Sequence, residues 1–339
     1  MGEVSTIKVY GVNRSPYISV VILAYERKEY IKRAVRSVIE QDLNDKSIEI
    51  LVVKNFIDQA LDLELKNLGC KIINSSTKEL GGKIIEGFSN SNGQIVSLLE
   101  DDDFFYPGKL KAIEAEFKEN PELVFFQHPT DVWDMEGKRL ISSGSRKKPV
   151  ICQAPVTIKT FRKYFSPPSR LGIYNNSSYC IRKDKFQNDL GPFKEMIRGC
   201  DDYLFLSTLS LDGYIKLGSQ SLGARTLNLT NSSEDKEIKK FIDNSARSEA
   251  MNLKTYGVYL QHFKNDPQRR MSNYLLMRSL LRFAIFKSYE VKLKDIINSL
   301  KLSLFFNDPY LTVLLIWAIL SKINRRKVQI RFYKKESVR

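Results

Sequence analysis

The first half of the chain alternates short apolar runs with segments whose apolar positions recur at a helical period. Residues 18–23 (ISVVIL) are continuously apolar and mostly β-branched, which predicts a buried strand. Residues 28–40 follow, with apolar side chains at positions 31, 35, 38 and 39 that cover one helical face. The alternation then continues. It predicts strands at residues 48–53, 70–73, 95–99 and 123–126, and helices at 61–68, 81–91 and 107–119.

This alternation predicts an α/β fold with a mostly parallel sheet that is flanked by helices on both faces. Residues 128–180 are less regular, but the pattern predicts a strand at 177–181, a helix at 201–211 and a strand at 214–217. Ligands of such sheets bind at the carboxyl ends of the strands. We therefore expect the functional residues at that edge.

From about Ser233 onward the pattern is helical throughout, so we predict two regions, residues 1–235 and a helical extension at 236–339. The extension contains 22 of the 54 Lys and Arg residues but only 8 of the 39 Asp and Glu residues. Nearly all of the net charge of +15 therefore lies in the last third of the chain. A segment of this kind is expected to bind an anionic partner, either a nucleic acid or an acidic membrane surface.

Two apolar stretches lie in this basic region, at residues 274–287 and 311–320. The second is too short to span a bilayer, which needs about 20 apolar residues, but its tryptophan and the cations that follow suit an interfacial anchor. Packing on the α/β region would give the same pattern. We favour the interfacial anchor and expect the protein to bind an anionic membrane surface through residues 270–335.

The cysteines and the N-terminus indicate a reducing compartment. Cys70, Cys152, Cys180 and Cys200 form no CxxC pair, so we expect buried thiols rather than a zinc site or a disulfide framework. The first 15 residues lack an apolar core long enough for a signal peptide. We expect a cytoplasmic protein that is peripheral on the inner face of the cell membrane.

Four consecutive carboxylates, at residues 100–103, follow the strand predicted at 95–99. Neighbouring carboxylates repel one another and raise each other's pKa unless a cation neutralises them. Ligand sets made of oxygen suit Mg²⁺ or Mn²⁺, which bind carboxylates together with substrate phosphates. A solvated acidic turn is the alternative, and the position directly after a buried strand disfavours it.

Three segments resemble family 2 glycosyltransferases of the GT-A fold. They are residues 18–25 (ISVVILAY), 37–41 (SVIEQ) and 98–110 (LLEDDDFFYPGKL). The resemblance extends over roughly residues 17–230. It implies an inverting enzyme that moves a sugar from a nucleotide-sugar donor to an acceptor hydroxyl, with Mg²⁺ or Mn²⁺ as cofactor. The acceptor would be a saccharide or, if the membrane expectation holds, a lipid-linked glycan.

The resemblance places the metal-binding DXD motif of the family on Glu100, Asp101 and Asp102. It implies that Asp102 is the principal metal ligand and that Asp103 orients the metal shell or the donor sugar. Glu100 would contact the ribose side of the nucleotide, and Asp101 would belong to the same donor site. The family more often has an aspartate where this chain has Glu100.

The resemblance also implies a nucleotide site at the end of the first strand, formed by Ala24, Tyr25 and Glu26. The second strand departs from the family, because it ends in Lys54-Asn55 where an aspartate pair usually reads the base. Asn55 can still hydrogen-bond a base edge, since its amide offers both a donor and an acceptor.

Lys83 follows two glycines at the start of a predicted helix, which makes it a candidate phosphate contact. A solvated surface lysine is the alternative.

An acidic pair, Asp201-Asp202, lies about a hundred residues after the metal motif. The resemblance implies that Asp202 is the catalytic base and Asp201 its helper, because an acceptor hydroxyl needs a carboxylate to take its proton. Acids in the first turn of a helix, favoured by the helix dipole, are the alternative. The segment that contains Asn176 and Ser177 resembles the strand that borders the acceptor site in this family. The alternative is a loop with turn chemistry.

Three other functions remain open. A nucleotidyltransferase shares a similar nucleotide-binding core and metal carboxylates but releases pyrophosphate. An inactive relative is conceivable because of Lys54. A nucleic-acid binder would explain the basic tail, but the tail lacks a recognised nucleic-acid motif and the acidic run repels phosphate, so no nucleic acid is expected as a partner.

Overall fold

The fold is described from a computed structural model. It describes residues 16–25, 28–41, 48–166, 168, 175–186, 192–227, 234–287 and 289–336. Glu26 of the predicted nucleotide site lies outside these residues.

Strands of the described residues form two sheets. The strands are β1 (Ile18–Ala24), β2 (Ile48–Lys54), β3 (Lys71–Asn74), β4 (Ile95–Glu100), β5 (Phe104–Phe105), β6 (Leu123–Gln127), β7 (Asp131–Asp134), β8 (Leu140–Ser142), β9 (Val150–Ala154), β10 (Tyr179–Arg182), β11 (Gly213–Leu217) and β12 (Gly223–Leu227). The large sheet has the order β3-β2-β1-β4-β10-β6-β11-β9, and the small one the order β5-β12-β7-β8.

Helices separate and follow these strands. They are α1 (Lys28–Ile39), α2 (Gln59–Asn67), α3 (Leu80–Asn90), α4 (Lys109–Glu119), α5 (Ile158–Phe165), α6 (Cys200–Thr208), α7 (Glu234–His262), α8 (Gln268–Phe286), α9 (Leu293–Phe306) and α10 (Pro309–Glu336). Short 3₁₀ segments lie at Asn176–Ser178, Lys183–Lys185 and Pro192–Glu195.

The predicted α/β fold with a mostly parallel sheet and a helical C-terminal extension is confirmed. Strands β1 to β4 pair in parallel, with β1 between β2 and β4. All seven residues of β1 are buried, because sheet neighbours and helices cover it on every side, and this explains its continuously apolar sequence. Strand β10 enters antiparallel between β4 and β6.

Of the element boundaries that differ from the prediction, two have a clear local cause. The helix predicted from residue 107 begins at Lys109, because Gly108 adopts a left-handed conformation with φ of 81°. The strand predicted from residue 177 begins at Tyr179. The side chain of Asn175 accepts a hydrogen bond from the Ser177 N–H and starts a 3₁₀ turn there.

The C-terminal helices share one hydrophobic core with the α/β region. Residues of α8 and α10 and residues of the large sheet belong to the same buried cluster. Phe306 of α9, for example, lies 5.8 Å from Phe161 of α5 between ring centroids. The core is therefore continuous across residue 235, and the division of the chain at that residue stays a prediction.

The two apolar stretches of the basic region differ in burial. Apolar residues of 274–287, including Leu275, Leu281 and Ile285, are buried, so the packing alternative holds for this stretch. In 311–320, Leu311, Leu314, Leu315 and Ala318 are buried, whereas Ile316, Ile319 and Leu320 are exposed. Within the described part of the chain, no helix is long and apolar enough to cross a membrane.

Candidate active site

A cavity of about 440 Å³ opens at the carboxyl end of β4. Sequence-predicted metal, base and acceptor residues line it together, although they come from segments up to a hundred residues apart. These residues are Glu100, Asp102, Asp103, Asn176, Asp201 and Asp202. The location agrees with the expectation that ligands of parallel sheets bind at this edge.

Three of the four consecutive acids converge. One carboxylate oxygen each from Glu100, Asp102 and Asp103 lies within 4.8 Å of the other two. Asp101 is fully buried and has a different role, because its Oδ2 accepts a 2.7 Å hydrogen bond from the Tyr25 N–H. Asp101 thus fastens the end of β4 to the segment after β1. Glu100 belongs to the group of carboxylates that could hold a metal ion. The ribose contact that the resemblance implies for Glu100 stays a prediction.

Neutral hydrogen-bond donors hold this acidic group in place. Asp103 accepts hydrogen bonds from the Ser177 hydroxyl at 2.6 Å and from the Thr226 N–H at 2.9 Å. Asn176 Nδ2 donates to Glu100 Oε1 at 2.9 Å. Burial, with the charges of Glu100 and Asp102, raises the pKa of Asp103 to about 8. A divalent cation bound by these acids would offset the repulsion among their negative charges.

The residues fit such a cation. The group is made only of oxygen donors, as Mg²⁺ and Mn²⁺ prefer. A neutral oxygen lies beside it, because Asn176 Oδ1 is buried and has no hydrogen-bond partner among the described residues. An oxygen in that situation is unfavourable unless a ligand or a solvent molecule satisfies it.

The predicted acceptor residues contact the acidic group. Ser177 is buried, donates to Asp103, and accepts a 2.9 Å hydrogen bond from the Glu100 N–H. Asn176 contacts Glu100 and also lines the cavity. The Ser177 hydroxyl is thus already hydrogen-bonded to Asp103 and Glu100. A contact with the acceptor stays a prediction for both Asn176 and Ser177.

The predicted nucleotide residues lie around one buried lysine. Lys83 Nζ donates to the Ala24 carbonyl at 3.0 Å and to Asn55 Oδ1 at 2.9 Å, and lies 3.3 Å from the Tyr25 ring centroid. The alternative of a solvated surface lysine is wrong, because Lys83 is fully buried. The ends of β1 and β2 are thus joined to the start of α3. A phosphate contact of Lys83 stays a prediction.

Lys54, the unusual residue at the end of β2, has a local carboxylate. Its buried Nζ forms a 3.0 Å ion pair with Asp62 of α2 and donates to the Phe56 carbonyl at 2.6 Å. The positive charge of Lys54 is therefore balanced by a carboxylate of α2.

Asp201 and Asp202 lie in the first turn of α6, after Gly199, whose φ of 73° is left-handed. Within the described structure, no side chain caps this helix. Asp202 Oδ2 accepts a 2.8 Å hydrogen bond from the Tyr256 hydroxyl, whereas Oδ1 is buried and unpaired among the described residues. Burial raises the pKa of Asp202, and the Arg278 charge opposes that rise. Burial and the charges of Asp202 and Glu100 raise the pKa of Asp201.

Other cavity residues were not predicted. Arg225 follows the start of β12, Asn252 and Tyr256 lie on α7, and Arg278 lies on α8. The helical region gave no sequence signal for Asn252, Tyr256 and Arg278, because the apolar period shows which face is buried but not which polar residue reaches the sheet edge.

Comparison with known proteins agrees with this geometry. Residues 19–180 match the sequence profile of Glycosyl transferase family 2. This segment belongs to glycosyltransferase family 2. The resemblance given by residues 18–25, 37–41 and 98–110 is thereby confirmed. The family 2 segment contains the acidic group and the turn at Asn176–Ser178 and ends within β10. The Asp201-Asp202 pair and α7–α10 follow it.

One curated relative and several crystal structures are similar. An uncharacterized glycosyltransferase of Nostoc sp. is 30% identical over 160 residues, which are 45% of this chain and 48% of the relative. The matched part thus spans about half the length of that relative. Crystal structures of S. aureus TarS 1–349, alone and with UDP-GlcNAc, have a TM-score of 0.49 and 16% identity. They cover 94% of this chain and 91–92% of the TarS chain.

Proposed function

We propose that the protein is an inverting, metal-dependent glycosyltransferase that moves a sugar from a nucleotide-sugar to an acceptor hydroxyl. One observation carries the proposal. Three carboxylates of the family 2 segment, suited to a divalent cation, line the same cavity as a buried aspartate that has one oxygen without a hydrogen-bond partner among the described residues.

Glu100, Asp102 and Asp103 would hold Mg²⁺ or Mn²⁺. When bound, such an ion neutralises the charge of the donor diphosphate and of the leaving nucleoside diphosphate. Arg225 lines the same cavity and precedes Thr226, whose N–H binds Asp103. The Arg225 guanidinium would therefore be a second cation, beside the metal ion, that stabilises the leaving phosphates.

The donor nucleotide would lie at the ends of β1 and β2, against Ala24, Tyr25 and Asn55. Lys83 holds these three residues together in the structure. Glu26 would extend the same site.

Asp202 would accept the acceptor proton at Oδ1, the oxygen that has no hydrogen-bond partner among the described residues. As that proton moves to Oδ1, the acceptor oxygen bonds the anomeric carbon, and the bond from that carbon to the diphosphate oxygen breaks. Attack from the face opposite the leaving group inverts the anomeric configuration. Asp201, adjacent and in the same cavity, would assist Asp202.

The test uses the full chain with a panel of nucleotide-sugars and Mn²⁺ or Mg²⁺, beginning with UDP-GlcNAc and saccharide acceptors. We expect release of nucleoside diphosphate that a chelator abolishes. Asp202→Asn should abolish transfer and keep donor binding, whereas Asp102→Asn should weaken binding of metal plus donor. Asp212→Asn, an exposed aspartate outside the cavity, is the matched control. Release of pyrophosphate from a nucleoside triphosphate and a sugar 1-phosphate, supplied in a parallel assay, would favour a nucleotidyltransferase, and silence with every donor would favour an inactive relative.

We propose further that the protein is cytoplasmic, lies on an anionic membrane surface and uses a lipid-linked acceptor. Support comes from α9, whose apolar residues Leu293, Ile297, Leu300 and Leu304 are exposed and recur at spacings of four, three and four. That spacing places them on one helical stripe. Leu293 is 71% and Leu304 80% exposed, in a region that carries nearly all of the net positive charge.

Flotation with vesicles tests this surface. The full chain should float with vesicles rich in phosphatidylglycerol and not with pure phosphatidylcholine. Leu304→Glu should reduce flotation, whereas Leu63→Glu, at a leucine of α2 that is 63% exposed, should not. Equal flotation of the two variants would exclude the α9 stripe. Equal transfer rates to a polyprenyl-linked sugar and to the free saccharide would contradict the lipid-linked acceptor.

A further inference from the structure

The start of α6 is fixed by the helical extension. Tyr259 of α7 donates a hydrogen bond to the Gly199 carbonyl, directly before α6. A Cβ atom at Gly199 would lie 2.8 Å from the Tyr259 hydroxyl oxygen, and the positive φ of Gly199 also favours glycine. Helix α7 thus sets the backbone from which Asp201 and Asp202 project.

The extension also fixes the carboxylate itself. Tyr256, one turn before Tyr259 on α7, is 2% exposed and donates a 2.8 Å hydrogen bond to Asp202 Oδ2. A single hydrogen bond to one carboxylate oxygen sets the rotation of the group and leaves the other oxygen free to accept a proton. The Tyr256 ring is held in turn by the Tyr259 ring at 5.2 Å between centroids.

A cation of the extension acts on the same carboxylate. Arg278 of α8 lines the cavity and lowers the pKa of Asp202, against the effect of burial. Asp201 and Cys200 on α6 and the tyrosines Tyr256 and Tyr259 of α7 are further titratable groups that interact with it. The surroundings of Asp202 thus come from α6, α7 and α8, although only α6 lies in the predicted catalytic region.

We infer that Tyr256 is a positioning residue for the base Asp202, and that α7 and α8 complete the active site. The inference rests on the proposed function, because it gives Asp202 the role of base. It goes beyond the family 2 segment, which ends at residue 180, before either helix begins.

Tyr256→Phe is the direct test, since it removes one hydroxyl and keeps the packed ring. Tyr274→Phe is the matched control, because Tyr274 is also buried and donates a 2.8 Å hydrogen bond to a carboxylate, that of Asp308, outside the cavity. We expect Tyr256→Phe to lower kcat on the order of ten- to a hundred-fold, with donor KM unchanged, as small misplacements of catalytic groups do.

The pH profile gives a readout that a merely structural role would not move. The Tyr256 hydrogen bond stabilises the charged carboxylate, so its loss should move the acid limb of kcat/KM to higher pH. Tyr274→Phe should leave both kcat and that limb unchanged. An unchanged acid limb and an unchanged kcat in Tyr256→Phe would overturn this inference but not the proposed function. Equal losses of kcat in the two variants would do the same. Absence of transfer by the wild-type protein, or transfer that survives Asp202→Asn, would overturn the proposed function and this inference with it.

Discussion

The Ser177 hydroxyl joins two of the clustered acids: it donates a 2.6 Å hydrogen bond to Asp103 Oδ2 and accepts one from the Glu100 N–H at 2.9 Å. A residue that holds metal ligands in this way sets their orientation, and its loss typically costs ten- to a hundred-fold in affinity. We therefore expect Ser177→Ala to weaken Mn²⁺ binding by about tenfold.

Calorimetry with Mn²⁺ and UDP measures this effect. Ser272→Ala is the control, because Ser272 is equally buried but donates to a carbonyl within α8. Equal Mn²⁺ affinities in the two variants would show that Ser177 does not orient the acids.

The buried Lys54 gives a prediction for stability. Asp62→Asn would remove the ion-pair partner of this buried ammonium group, so we expect the free energy of unfolding to fall by about 3 kcal/mol. Glu64→Gln on the same helix breaks the exposed pair with Lys32 and should cost less than about 0.5 kcal/mol. Urea unfolding compares them, and a similar loss in both variants would contradict a special role for burial.

Two glycines of helices should respond oppositely to alanine. A Cβ atom at Gly81 would lie 1.8 Å from the Phe193 carbonyl oxygen, whereas Gly257 of α7 has nothing within 4 Å. Gly81→Ala should therefore destabilise by about 1–3 kcal/mol through overpacking. Gly257→Ala should stabilise by about 0.5–1 kcal/mol, because alanine loses less backbone entropy in a helix. Thermal unfolding would contradict this contrast if both changes had the same sign.

His128 predicts a dependence of stability on pH. The imidazole is fully buried, and burial lowers its pKa well below 6.5. Below pH 6.5 the unfolded chain therefore binds a proton that the folded protein does not. The free energy of unfolding should fall by up to about 1.4 kcal/mol per pH unit from this group. In urea unfolding at pH 7.5 and 5.5, His128→Gln should lose less stability on acidification than the wild type, and an equal loss would contradict this cause.

Sequence predicts those parts of this protein that depend on local patterns. The strands before the acidic run and the run itself were found because a buried strand and its polar end are adjacent in the chain. The role of Asp101 was not predictable, because only the fold shows that it binds the Tyr25 N–H instead of joining the other acids.

Contacts between residues that are far apart in the chain could not be predicted from the sequence, for a physical reason. Tyr256 lies 54 residues from Asp202, and its helix has many polar residues, any of which could face the sheet. Amphipathic periodicity was equally ambiguous, because a stripe that packs on a core and a stripe that contacts lipid have the same spacing. The prediction singled out 274–287, which is buried, and 311–320, which is partly exposed, whereas it did not single out the exposed stripe of α9.

The position of β10 has a consequence for synthesis on the ribosome. β10 alone bridges β4 and β6 in the described sheet, so the hydrogen-bonded sheet cannot become continuous until residue 182 has left the exit tunnel. The turn at Asn176–Ser178 emerges just ahead of it and brings Asn176 and Ser177 to the acids. Closing the seam of the sheet and bringing Asn176 and Ser177 to the acids therefore belong to the same stage of synthesis, whereas the Thr226 N–H reaches Asp103 only later.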